Sequence, residues 1–97
     1  MSISQKLAGY AKGLTFDKLP AEVIHQTKRL LVDTIGCALG GYSSNASLII
    51  QKAVKELNGP PEATIIGSGI RTSSMNAAIA NGTMVRFLDY NDVGWIN

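Results

Sequence analysis

Apolar residues recur at helical intervals along most of this chain. Ile3, Leu7, Tyr10 and Leu14 are spaced four, three and four apart, which puts them on one face of a short helix closed by Gly13. Residues 15–19 read as a connection. Pro20 suits the first turn of a second helix, where its missing N–H costs nothing. The pattern predicts that helix over residues 20–39, stopped by Gly40-Gly41. Val23, Thr27, Leu30, Leu31, Thr34, Ile35 and Ala38 form its apolar or small face, and Glu22, Gln26, Lys28 and Arg29 line the other side. Gly36 inside this pattern costs about 1 kcal/mol against Ala and points to close approach by another element.

Ser43, Ser44 and Asn45 are candidate caps for a third helix, because their side chains accept from unpaired backbone N–H groups. Leu48, Ile49, Lys52, Ala53 and Leu57 continue it, and Asn58-Gly59-Pro60-Pro61 ends it. Residues 63–66 are the one short β candidate. Gly67-Ser68-Gly69 turns the chain, and Ile70-Arg71 returns as a second short strand. Ser73 or Ser74 caps a fourth helix, in which Ala77, Ala80, Met84 and Phe87/Leu88 share a face. The small Ala77, Ala78 and Ala80 suit close packing, and the helix should end near Asp89. The fold class is therefore mainly α, a bundle-like set of helices with one short β-hairpin. One domain at most is expected in 97 residues.

Composition narrows the function classes. At 45% hydrophobic and net charge +2, the chain is too apolar for a disordered segment and can bury a core. Nine Lys/Arg are scattered among seven Asp/Glu with no basic stripe in the sequence, which argues against a nucleic-acid partner. The longest apolar run, residues 30–39, is broken by Asp33 and falls short of a membrane span; no signal-peptide stretch opens the chain. The single cysteine, Cys37, has no partner for an internal disulfide and reads as a buried packing residue. His25 is a lone histidine, so a metal site within the chain is not expected; it reads as a partly exposed helical residue. Gly67-Ser68-Gly69 matches half of a dinucleotide fingerprint whose remainder is absent, and is taken as the hairpin turn.

The chemistry-bearing candidate is Asp89-Tyr90-Asn91-Asp92. Two carboxylates and an amide cluster just past an apolar helix. Neighbouring carboxylates repel, and desolvation adds to that, so one acid can be tuned for proton transfer. A helix C-terminus also disfavours negative charge. The competing reading is that both acids are solvated turn residues bonded to the backbone.

Four segments, in order, carry a family resemblance: residues 14–23 (LTFDKLPAEV), 30–41 (LLVDTIGCALGG), 61–69 (PEATIIGSG) and 80–92 (ANGTMVRFLDYND). In sequence and spacing they resemble the N-terminal part of the MmgE/PrpD family, which includes 2-methylcitrate dehydratase, cis-aconitate decarboxylase and related epimerases. The run from Val85 to Asp92 looks most like the 2-methylcitrate dehydratase branch, since the decarboxylase branch more often has Asp where Asn91 stands. The resemblance implies a lyase that eliminates water from a tricarboxylate in propionate breakdown, with no cofactor or metal. Residues 1–97 would be the incomplete N-terminal segment of the family's large helical domain, and the complete enzyme would be a homodimer several times longer, in the cytoplasm or the mitochondrial matrix. It implies a catalytic role for Asp89 and substrate binding by Asn91, Asp92 and Arg86. Val93 replaces a small hydroxyl residue common in the family, and the histidines and basic residues that complete the family's site lie farther along. The 97 residues alone are therefore expected to be inactive. Two alternatives stand beside this reading: a non-catalytic helical interaction domain or truncated remnant, and a related cis-aconitate decarboxylase or epimerase on the same N-terminal scaffold.

Overall fold

The computed structural model describes residues 1–90. Four helices and one hairpin follow in order: α1 (Ile3–Gly13), α2 (Ala21–Gly41), α3 (Asn45–Leu57), β1 (Ala63–Thr64), β2 (Arg71–Thr72) and α4 (Ser74–Phe87). A single 3-10 turn, Phe16–Lys18, lies between α1 and α2. The mainly α class is as predicted.

Three of the four helices, α1, α3 and α4, start on a side-chain cap. Ser2 and Gln5 form a reciprocal capping box on α1, with Oγ of Ser2 accepting from the Gln5 N–H at 3.1 Å and Oε1 of Gln5 accepting from the Ser2 N–H at 2.8 Å. Ser44 caps α3 and Ser73 caps α4, each accepting from the backbone N–H three residues on. Pro20 stands just before α2, at its N-cap, not inside the first turn. Asn58 ends α3 in the left-handed conformation, φ 48°.

Two predicted boundaries shift. Gly40 and Gly41 do not stop α2 but form its last turn, because the helix is held open for α4 at that point. A Cβ on Gly41 would collide with the Met84 carbonyl oxygen, and one on Gly40 would lie 2.8 Å from Cδ1 of Leu88. The close approach expected at Gly36 is therefore made more than a turn later; a Cβ on Gly36 would meet nothing within 4 Å. β1 is also shorter than the expected 63–66 and β2 is shifted by one residue from 70–71, with Ala63 opposite Thr72 and Thr64 opposite Arg71. Ile65 and Ile70 still share one backbone bond, Ile65 N–H to Ile70 C=O at 2.9 Å. Beyond them Gly67 (φ 86°) and Gly69 (φ 70°) turn the chain through conformations that side chains resist.

The core is a small cluster of Ala38, Val54, Ile65, Ala80 and Met84, gathered around α4. α4 packs against α2, α3 and both strands. Its Ala77, Ala80 and Met84 are buried as the spacing predicts, while Phe87 and Leu88 stay exposed. Asn81 of α4 ties the hairpin down where the strand ladder has ended. Its side-chain carbonyl accepts from the Ile66 N–H at 2.9 Å, and its amide donates to the Thr64 carbonyl at 3.1 Å. α3 departs from its apolar pattern: Ser47, Gln51 and Val54 face inward while Leu48, Ile49 and Leu57 are exposed. The polar pair is accommodated by bonds. Ser44 Oγ donates to Ser47 Oγ, and Gln51 Nε2 donates to the Tyr42 carbonyl at 3.3 Å.

The first third of the chain stands apart from this core. No residue of 1–36 is buried, although α1 is capped and regular. The radius of gyration is 16.5 Å, against about 13 Å for a compact chain of this length. Cys37 is buried as a packing residue and His25 is exposed, both in line with the sequence. Among the described residues no helix is long and apolar enough to cross a membrane.

Candidate functional site

α4 delivers the candidate acid. Its last turn carries Arg86, the helix ends at Phe87, and Leu88 follows in a near-helical conformation. Asp89 then takes a left-handed conformation, φ 57°, with its N–H bonded to the Arg86 carbonyl at 3.1 Å. Aspartate tolerates that region better than most side chains, since a short polar group avoids the worst clash with its own backbone. The Asp89 carboxylate lies beside the last turn of the helix. There Nη1 of Arg86 meets Oδ1 of Asp89 at 3.1 Å.

This ion pair explains how a carboxylate is tolerated at a negative helix terminus. Arg86 favours the C-terminal end of the helix dipole and offsets the charge of the acid beside it. Both groups face water, with side-chain exposures of 59% for Arg86 and 80% for Asp89. Two of the four predicted site residues are thus brought together. The other two, Asn91 and Asp92, lie outside the described residues, as does Val93.

The position of this site is set from below. The Gly41 backbone lies against the Met84 carbonyl, the space above Gly40 is taken by Leu88, and Met84 itself is fully buried. Those contacts pack the last turns of α4, which ends at Phe87, two residues before Asp89. Sequence reading missed them because it took Gly40-Gly41 for a helix stop. The signal was available in the run of small residues on both partners, Ala38, Gly40 and Gly41 against Ala77 and Ala80.

A second feature is a group of charges on α2. His25, Lys28, Arg29, Val32 and Asp33 line an open concavity of about 510 Å³. It holds none of the α4 motif, and all five residues are exposed on one helix. Among the described residues no group of three His, Cys, Asp or Glu side chains is placed to hold a metal ion.

A carboxylate beside a guanidinium can orient a polar substrate group or exchange a proton with it. In open water neither action gains much, because catalysis by such groups depends on a site that excludes solvent. Among the described residues this pair stands open to water.

Comparison with known proteins decides the family of the chain. The MmgE/PrpD N-terminal domain model matches residues 5–95. The chain belongs to the MmgE/PrpD family. Among its relatives, a cis-aconitate decarboxylase-like protein, oryM, of Aspergillus oryzae is 28% identical over 91 residues, covering 94% of this chain and 19% of that protein. The cis-aconitate decarboxylase of Aspergillus terreus is 24% identical over 90 residues, covering 93% and 18%. The human cis-aconitate decarboxylase is 28% identical over 92 residues, covering 94% and 19%. The chain thus spans about a fifth of the length of these MmgE/PrpD relatives. No solved structure matches it. The relatives named carry decarboxylase names, so the family assignment stands while the leaning toward the dehydratase branch finds no support among them.

Proposed function

We propose that this chain forms the N-terminal wall of the active site of an MmgE/PrpD lyase acting on a tricarboxylate. The observation that carries the proposal is the family match across residues 5–95, which takes in the whole Arg86–Asp92 segment. In this reading Asp89 exchanges or orients the proton that moves beside a substrate carboxylate. Arg86 holds Asp89 in place and contributes positive charge to an anionic substrate. Asn91 and Asp92 bond substrate hydroxyl or carboxyl groups. The complete enzyme works as a homodimer, and no cofactor is invoked.

Decarboxylation of cis-aconitate is the activity favoured by the relatives' names, at 24–28% identity. Dehydration of 2-methylcitrate is the second reading, favoured by Asn91 at a position where the decarboxylase branch more often has Asp. A full-length protein containing this chain separates them by releasing either carbon dioxide from cis-aconitate or water from 2-methylcitrate. Asp89→Asn should lower kcat by about 10²–10⁴-fold, the usual share of a general acid or base. Full activity in that variant refutes the role of Asp89, and no turnover of either substrate returns the chain to the class of interaction domains. The 97 residues alone should turn over neither; turnover that Asp89→Asn abolishes would show a self-sufficient site.

A further inference from the structure

The face that α2 presents to α4 is longer than α4 covers. Val23, Thr27, Leu30, Thr34, Cys37 and Gly41 follow one another at spacings of four, three, four, three and four. That is a seven-residue repeat, the pattern of a helix designed to lie nearly along another helix. Burial falls off steadily toward its N-terminal end. Gly41 and Cys37 are buried, Thr34 is half-buried, Leu30 is 36% exposed and Val23 41% exposed. Leu31 beside this seam is 57% exposed. One continuous seam is thus closed at its C-terminal half by α4 and open at its N-terminal half.

We infer that the open half of this seam docks an amphipathic helix from the remaining polypeptide of an MmgE/PrpD enzyme. Three observations select this occupant. The uncovered half continues an interface already formed with a helix, in the same register, so a helix is the shape that fits. The family model matches from residue 5 onward, so the seam belongs to the family's N-terminal domain. The relatives, in turn, carry about four-fifths of their length outside the matched part. The seam itself carries no charge, so the facing helix must present apolar side chains there. The charged groups on α2, among them Lys28, Arg29 and Asp33, lie off this seam and stay in water.

The inference rests on family membership and not on the lyase chemistry, so its test reads binding. The 97-residue chain is mixed with human cis-aconitate decarboxylase from which the matched segment has been deleted, and the deleted segment serves as the reference binder. The chain should bind within about tenfold of the reference, or about 1.4 kcal/mol, and amide exchange across the first half of α2 should slow on binding. Leu30→Asp should abolish both effects. Val32→Asp, two residues on and turned away from the seam, should leave both intact. Failure to bind where the reference binds, or binding that survives Leu30→Asp, overturns the inference. So does a dimer of the free chain that Leu30→Asp dissolves, which would make a second copy the occupant. Should the deleted enzyme not stay in solution, the chain is grafted in place of the matched segment. Exchange in α2 no slower there than in the free chain then counts against the inference. A complex without turnover speaks only against the lyase reading.

Discussion

Gly36 and Gly41 lie in the same helix, yet alanine should act in opposite directions at the two positions. At Gly36 a Cβ meets nothing within 4 Å, so Gly36→Ala keeps every contact and gains helix propensity, about 0.8–1.0 kcal/mol. At Gly41 the new Cβ collides with the Met84 carbonyl and stands 3.3 Å from Cβ of Phe87. Neither obstacle is a flexible side-chain end, so α2 and α4 must separate. Overpacking of this kind costs about 1–3 kcal/mol. Separation also loosens Ala38, Ala80 and Met84, which are buried at the same crossing. Gly41 is the last residue of α2, so its propensity gain is smaller than that of Gly36. The two variants should therefore differ by about 2–4 kcal/mol in stability. Urea unfolding followed by circular dichroism reads this directly. With a slope near 1 kcal/mol per molar, the low end for small proteins, Gly36→Ala should raise the midpoint by about 1 M. Gly41→Ala should lower it. A midpoint raised equally by both would refute the α2–α4 spacing and the anchoring of Asp89 argued from it.

Other perturbations test other parts of the structure. Met84→Ala removes a fully buried side chain and should cost about 2–5 kcal/mol, enough to abolish the cooperative thermal transition of a chain with so small a core. Asn81→Leu removes the partners of the Ile66 N–H and the Thr64 carbonyl. It should cost about 1–3 kcal/mol and speed amide exchange in the hairpin before the helices; unchanged hairpin exchange would show the clamp to be idle. Arg86→Ala breaks an ion pair whose two side chains are mostly in water. It should change stability by less than about 1 kcal/mol, with the loss disappearing in high salt, whereas a larger loss would mean Arg86 has a structural role. The free chain should bind a dye that reports exposed apolar surface, and Leu30→Asp and Leu31→Asp should each reduce that signal.

Helix existence was legible because each helix has a periodic face and three of the four begin on a capping serine. Ser44, Ser73 and Asn58 mark boundaries in the sequence as they do in the structure. Two things were not legible, for different reasons. Glycine after a helical pattern signals a stop when the chain is read locally, but Gly41 is there to admit the Met84 carbonyl, a tertiary fact. α3 was read by its leucines and isoleucines, yet its buried face holds Ser47 and Gln51, whose cost is offset by hydrogen bonds that no periodicity reveals. Of the site, the Asp89 region was visible as acids crowded past an apolar helix. The left-handed conformation of Asp89 and its pairing with Arg86 were not, since aspartate in that conformation leaves no signature in composition.

The central place of α4 has a consequence in time. It is the partner of α2, α3 and both strands, and it is the last of these elements to be made. Between the end of α2 at Gly41 and the end of α4 at Phe87 the ribosome adds 46 residues, a wait of roughly 2–9 s at ordinary synthesis rates. During that interval α2 and α3 have no core to join, and their apolar faces stand open to whatever binds nascent chains. Folding of this unit is therefore set by the arrival of its final helix, and a ribosomal pause ahead of residue 74 would prolong its most vulnerable state.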